Sequence, residues 1–407
     1  MINFHNNNQS EYQQTQKIIL ALTRLFFVTV AFWTSQVFAE DISQYVGKVI
    51  VNSPTQQLIG SNSSNGNENK NENDNKNDNK KVNKNSNANT TSPSTESSTE
   101  ASNSSSNSSA NSSANGSTQW VKYEKNPVLG GGDLGTIFDI SIIKENDEYK
   151  MYNSWRPKGS IALSTSKDGK EWTKPKIVLS PIPKTWERDI NRPGILKKDG
   201  VYHLWYTGQA QGKSRIGYAT SSDGINFTRQ SEEPVLKPEL SWEKVAVMCP
   251  HVNWDEDEKV FKMWYSAGEQ YEPNAIGYAT SKDGLVWKKY DENPVFKANP
   301  EIKWEKHKVT ACQIIKRKND YLMFYIGFQT EDLAQIGIAK SPDGIKNWTR
   351  YKNNPIIAPT PNEWDANACY KPFVIQENDK WLLWYNGRNK GLERIGLAIF
   401  NNNNLGF

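Results

Sequence analysis

The chain is poor in cysteine, in net charge and in helical periodicity, and each shortage excludes something. Cys249, Cys312 and Cys369 are the only cysteines among 407 residues. Their odd number rules out a fully paired disulfide framework, and they read as small buried hydrophobes. The net charge is only +4 and the lysines are dispersed, with no basic stripe interleaved with aromatics. Nucleic acid is therefore a poor partner. Apolar residues do not recur every 3.6 positions anywhere in the C-terminal two-thirds, which excludes a helical solenoid. Long apolar runs are also scarce. The one candidate, residues 18–39, is interrupted by Arg24, Thr29, Thr34, Ser35 and Gln36, whereas a membrane span needs about 20 apolar residues. Lys17 precedes it and Val37, Phe38 and Ala39 end it, so residues 1–39 read as a signal peptide. No membrane span is expected after cleavage, and the mature protein is expected to be secreted, periplasmic or held at the cell surface.

Three further segments follow. Residues 40–59 carry a short apolar patch (Tyr45, Val46, Val49, Ile50, Val51) with no evident function. Residues 60–117 are almost entirely Asn, Ser, Lys, Glu, Thr and Ala. Such a stretch cannot bury enough apolar surface to offset the entropy of ordering it, and a disordered, flexible linker is expected. Residues 118–407 are rich in Trp, Tyr, Val and Ile, with turn residues at regular spacing.

That regularity is an internal repeat. Ile216-Gly217-Tyr218-Ala219-Thr220-Ser221-Ser222-Asp223-Gly224 returns around Asp283-Gly284 and Asp343-Gly344, each 60 residues on, and more weakly around Asp168-Gly169. A fifth start, Ile395-Gly396-Leu397-Ala398, ends the chain. Each copy is preceded by an aromatic pair such as Trp205-Tyr206 or Trp264-Tyr265. It is followed by a further aromatic, an Asn-Pro or Glu-Pro with two apolar residues, and then Trp-Glu or Trp-Asp (Trp186-Glu187, Trp242-Glu243, Trp304-Glu305, Trp364-Asp365). Alternating apolar strands separated by Asp-Gly turns describe a four-stranded antiparallel meander. Units of this kind in a ring make an all-β, five-bladed β-propeller. Trp120-Val121-Lys122-Tyr123 through Pro127 repeats the fourth-strand sequence Trp287-Lys288-Lys289-Tyr290 through Pro294. An N-terminal strand is thus expected to complete the last blade and close the ring.

In such a ring the starts of the inner strands converge at one mouth with the loops that follow the second strands. The inner-strand group is Asp139, then Asp189, Asn191 and Arg192, then Cys249 and His251, Thr310, and Tyr370 with Lys371. The loop group includes Trp155, Arg156, Glu269 and Arg388. Asp139 and Glu269 are acids off the repeat, which points to function. The Trp-Glu acids recur in four copies and read as scaffold. Arg192, His251 and Lys371 form a cationic set suited to an anionic group such as phosphate or a uronate.

The repeat and the strand-end aromatics resemble the five-bladed propellers of glycoside hydrolase family 43, the invertase group and the mannoside phosphorylases, over about residues 118–400. The resemblance implies a carbohydrate substrate and paired carboxylates acting on glycosidic bonds. Asp139 is then the base, Asp189 its electrostatic partner and Glu269 the acid. Trp155 is a stacking platform for a sugar ring, and Arg156, Arg192, His251, Lys371 and Arg388 bind substrate. No cofactor is implied; His251 stands where some family members hold a central-channel cation. Two departures matter: Arg192 and Met248 stand where family 43 has an Asp and the acid Glu. They keep open phosphorolysis at a cationic phosphate site, and a non-catalytic glycan-binding or adhesive head on a stalk.

Overall fold

The computed structural model describes residues 119–271 and 273–407. The expected signal peptide, the short segment at 40–59 and the expected linker lie outside the described residues. Among those described, the chain is all-β apart from three short 3-10 turns, and no helix is long and apolar enough to cross a membrane.

Five antiparallel meanders follow one another. Their inner strands are Ile137–Glu145, Asp189–Lys198, Ala246–Asp255, Lys308–Lys316 and Ala368–Glu377. Each pairs with a second strand, then a third, then a short fourth. The second and third meanders are joined by a parallel bridge between Ser214 and Ala246 into one nine-stranded sheet. The fourth strand of the last meander comes from the other end of the sequence: Val121 pairs with Ile399 and Lys122 with Ala398. Asn126 extends this pairing. Its side chain donates to Leu397 O and accepts from Leu397 N, both at 2.8 Å. Asn293 and Asn354 make the same pair of bonds with Tyr278 and Ile338.

Sheet faces bury aromatic and β-branched residues against the next sheet. Tyr152, Ile161 and Leu204 pack between the first and second sheets, and Trp205, Met263 and Tyr265 between the second and third. Ile137, Ile140, Leu382 and Trp384 pack the fifth sheet against the first. Polar stitches follow the same order. Trp205 Nε1 donates to Gly284 O, Trp264 Nε1 to Gly344 O, and Trp384 Nε1, in the last sheet, to Gly169 O in the first.

The Trp-Glu repeat is explained by a buried triad. Glu187 accepts from Tyr206 and Arg229, Glu243 from Tyr265 and Lys289, and Glu305 from Tyr325 and Arg350. Asp365 accepts from Tyr385 and from Lys122 of the N-terminal strand. The accompanying indoles lie across the repeat glycines: a Cβ on Gly217, Gly277, Gly337 or Gly396 would fall 2.4–2.8 Å from a Trp ring. The recurrent Ile-Gly is therefore a close-approach requirement.

The inner strands start earlier than the sequence implies. Residues expected just before them lie within them, at a β-bulge. The register shifts between Phe138 and Ser141, Asn191 and Gly194, Met248 and His251, Thr310 and Cys312, and Tyr370 and Phe373. At each bulge one residue has a left-handed backbone: Asp139, Arg192, Cys249, Ala311 and Lys371, with φ between 35° and 54°. A bulge re-aims the side chain it carries.

Candidate active site

The five bulge residues are equivalent in backbone and unlike in chemistry. In three of them the strained amide is held by the preceding sheet. Arg192 N donates to Ser154 Oγ at 2.9 Å, Cys249 N to Thr207 Oγ1 at 3.1 Å and Ala311 N to Ser266 Oγ at 2.7 Å. The corresponding side chain of the last sheet is Asn386, whose Nδ2 lies 3.5 Å from Asp139 Oδ1 in the first.

Asp139 is 4% exposed. Arg192 Nε stands 3.3 Å from Asp139 Oδ2, yet that oxygen accepts no hydrogen bond, and neither does Asn386 Oδ1. Burial raises the Asp139 carboxyl above its ordinary range. Arg192, Lys371 and Arg156 pull it down, and Glu393 pushes it up. Desolvation is the largest influence, and it disfavours the charged carboxylate. A protonated carboxyl can donate a proton to a leaving oxygen. The environment of Asp139 thus fits an acid, where the family resemblance assigned it the base.

The cations converge on it from three sheets. Arg192 is oriented by Nη1 donating to Asn191 Oδ1 at 2.8 Å, and Asn191 Nδ2 donates to Gln209 Oε1 at 2.8 Å. Lys371 is 5% exposed, and among the described residues it makes no hydrogen bond or ion pair. Arg156 lies over the Phe138 ring at 4.3 Å and pairs with Glu393 at 2.5 Å. Arg388 donates to Asp332 O at 2.9 Å and sits 5.9 Å from the Tyr370 ring. Met248, Cys249, Ala311, Ile326 and Phe328 form a buried apolar cluster that includes two of the five bulge residues.

Other expected residues stand elsewhere. Glu269 is half-exposed and paired with Lys244 at 2.5 Å. Asp189 is 41% exposed and paired with Arg188 at 3.1 Å. Trp155 is half-buried and donates from Nε1 to Leu134 O at 2.8 Å, with Lys158 5.9 Å from its ring. His251 lies below the bulge, its Nε2 3.0 Å from Ile314 O, and burial lowers its pKa to about 4. The surroundings do not fit a channel cation. Lys371 already acts on His251, and among the described residues no cluster of three His, Cys, Asp or Glu could hold a metal ion.

Glu393 was not among the expected residues. It is 5% exposed, accepts from Tyr370 Oη and Arg156 Nη2, and acts on Asp139. A signal existed. Two residues before the repeat isoleucine, the other copies carry Gly159, Ser214, Asn274 and Ala334, so a carboxylate there is as far off the repeat as Asp139.

Residues 124–399 match the family described as Glycosyl hydrolases family 43. The chain is 28% identical over 238 residues to 1,2-beta-oligomannan phosphorylase of Thermoanaerobacter sp. (strain X514), covering 55% of this chain and 74% of that protein. It is 25% identical over 280 residues to an uncharacterized protein of Mycobacterium tuberculosis, covering 63% and 90%. Among solved structures it resembles the beta-1,2-mannobiose phosphorylase of Listeria innocua in complex with beta-1,2-mannobiose. The TM-score is 0.56 at 16% identity, over 69% of this chain and 96% of that one. That likeness concerns the fold alone. With about two-thirds of its length matched, and with an all-β architecture of four-stranded sheets around a buried acid, the chain belongs to glycosyl hydrolase family 43.

Proposed function

We propose that the five meanders are the blades of a closed propeller whose mouth breaks glycosidic bonds of oligosaccharides, with Asp139 as acid and inorganic phosphate as the attacking group. The observation that carries this reading is one buried carboxyl, its pKa raised by burial, with Arg192 at 3.3 Å and the charge of a buried Lys371 acting on it. Hydrolysis needs a second carboxylate to activate water; phosphorolysis does not, because phosphate brings its own negative charge. The positive charge that Arg192 and Lys371 gather around Asp139 suits such an anion. Asp139 donates its proton to the glycosidic oxygen as the bond from that oxygen to the anomeric carbon breaks. A phosphate oxygen bonds to that carbon, giving a sugar 1-phosphate, and the proton lost by the phosphate group restores Asp139. Arg192 stabilises the carboxylate in between.

The named curated relatives act on 1,2-beta-oligomannan and beta-1,2-mannobiose, so beta-1,2-linked mannosides are the first substrates to try. A second reading, hydrolysis, rests on Glu393 as a second buried carboxylate beside Asp139. The secreted or surface placement expected from residues 1–39 belongs to the proposal as well. The test is incubation of the purified protein with manno-oligosaccharides, with and without phosphate. Phosphate-dependent release of a sugar 1-phosphate is expected. Release of reducing sugar without phosphate would establish hydrolysis. Binding without turnover of any linkage would leave a glycan-binding head.

A further inference from the structure

The last and first sheets meet beside Asp139, and the charges there do not repeat elsewhere in the chain. Glu393 begins the third strand of the last sheet, Leu392–Phe400. Its Oε2 accepts from Arg156 Nη2, which belongs to the short 3-10 turn Arg156–Lys158 of the first sheet. Its Oε1 accepts from Tyr370 Oη, next to the bulge residue Lys371. Its backbone N lies 3.4 Å from Thr136 Oγ1, just before the inner strand that carries Asp139. One residue therefore touches three segments that each deliver a group to the mouth, two of them through its carboxylate.

We propose that Glu393 is a positioning residue of this site: it clamps Arg156 and Tyr370 across the seam between the last and first sheets, so that the Arg156 guanidinium is presented to the sugar bound over Asp139. This rests on the reading that Asp139 acts on a glycosidic bond. Arg156 is suited to the task. Its side chain is 41% exposed while its partner is nearly buried. A planar guanidinium fixed on one edge keeps donors for sugar hydroxyls on the other. Two further observations agree. The ring stack of Arg156 on Phe138 places it one residue from the acid. The charged and titratable groups that face Asp139 are Arg192, Lys371, Glu393, Arg156 and Tyr370, so Glu393 is the carboxylate opposing three cations. Removing its charge makes Asp139 easier to ionise, and a group that must be protonated then fails at lower pH.

The experiment compares wild type, Glu393→Gln, Arg156→Met and the double variant. The readouts are KM, kcat, the pH profile of kcat/KM on a beta-1,2-linked manno-oligosaccharide, and thermal unfolding. For Glu393→Gln the expected result is a KM raised about tenfold, the loss of one charged hydrogen bond, with the alkaline limb of the profile moved to lower pH. Arg156→Met should raise KM similarly, and the double variant should be no worse than either single one. Additive losses, or a Glu393→Gln protein that is less heat-stable but keeps its KM and pH profile, would overturn the clamp and leave a merely structural ion pair. Should Glu393→Gln not fold, the half-exposed Arg156→Met decides alone: an unchanged KM refutes the proposal. A wild type inactive on every linkage defeats the catalytic reading, and this inference with it. An active wild type with an indifferent Glu393→Gln defeats this inference only.

Discussion

Glu305 and Asp139 are both buried carboxylates at positions set by the repeat, but their partners differ. Glu305 accepts from Tyr325 and from Arg350, and the same triad recurs at Glu187, Glu243 and, through the N-terminal strand, Asp365. Asp139 has Arg192 at 3.3 Å and Asn386 at 3.5 Å, and one of its oxygens accepts no hydrogen bond. A fully bonded carboxylate locks a sheet together. An under-bonded one beside cations is available for a ligand. The two sets also differ in sequence. The triad positions keep their chemistry from copy to copy, whereas the bulges carry Asp, Arg, Cys, Ala and Lys. The repeat builds the sheets, and the exceptions to it gather around Asp139.

Substitutions can break this comparison or sharpen it. The largest expected effect is Asp139→Asn, which should cost about 10²–10⁴-fold in kcat while leaving the fold intact, read by steady-state kinetics beside circular dichroism. The opposite pattern is expected for Glu305→Ala. Removing it strands Arg350 and Tyr325 in the interior and should lower stability by about 3–5 kcal/mol, with activity per folded molecule unchanged. Equal behaviour of the two variants would erase the distinction. Lys122→Met tests whether the N-terminal strand completes the last triad. With Lys122 partly exposed the loss should be smaller, about 1–2 kcal/mol by urea unfolding.

The last prediction concerns pH and stability. Burial raises the Asp139 carboxyl in the folded state. The unfolded chain therefore ionises it first, and this group's contribution to stability is lost as pH rises through the folded pKa. Asp139→Asn should accordingly be more heat-stable than wild type near neutrality, and the difference should vanish below about pH 4, where the carboxyl is protonated in both states. For Asp365 the sign reverses. Its pKa is lowered by Lys122 and Tyr385 against the opposing effect of burial, so its contribution is lost as pH falls.

Much of the architecture was legible because it depends on local, recurrent chemistry. Asp-Gly turns, aromatic strand ends and the Asn-Pro fourth strand specify a meander whatever surrounds them, and the match between 120–127 and 287–294 specified the pairing of Val121 with Ile399. Asp139, Arg192 and Lys371 were also legible, as unlike residues at like positions. The bulge that aims them was not, because a left-handed backbone at Asp139, Arg192 or Lys371 has no glycine to announce it, and at Arg192 the strained amide is held by a hydroxyl from the neighbouring sheet. Glu269 and Asp189 looked equally acidic in the sequence. The structure gives each an exposed partner, Lys244 and Arg188.

The sequence by itself determined the unit: its strands, its turns, the indole over each repeat glycine, the triad carboxylates, and the terminal strand that stands in for a missing one. All but the terminal strand follow from spacing of 60 residues or fewer within a single meander; that strand reaches across the chain, with Lys122 lying 243 positions from Asp365. Only the tertiary structure decided which charges meet. Asp139 and Glu393 are 254 positions apart in the chain, and the protonation of the first depends on the depth of its burial and on Arg192, Lys371, Glu393 and Arg156 arriving from other strands. Desolvation and Coulomb interactions act through space, and no local pattern encodes them.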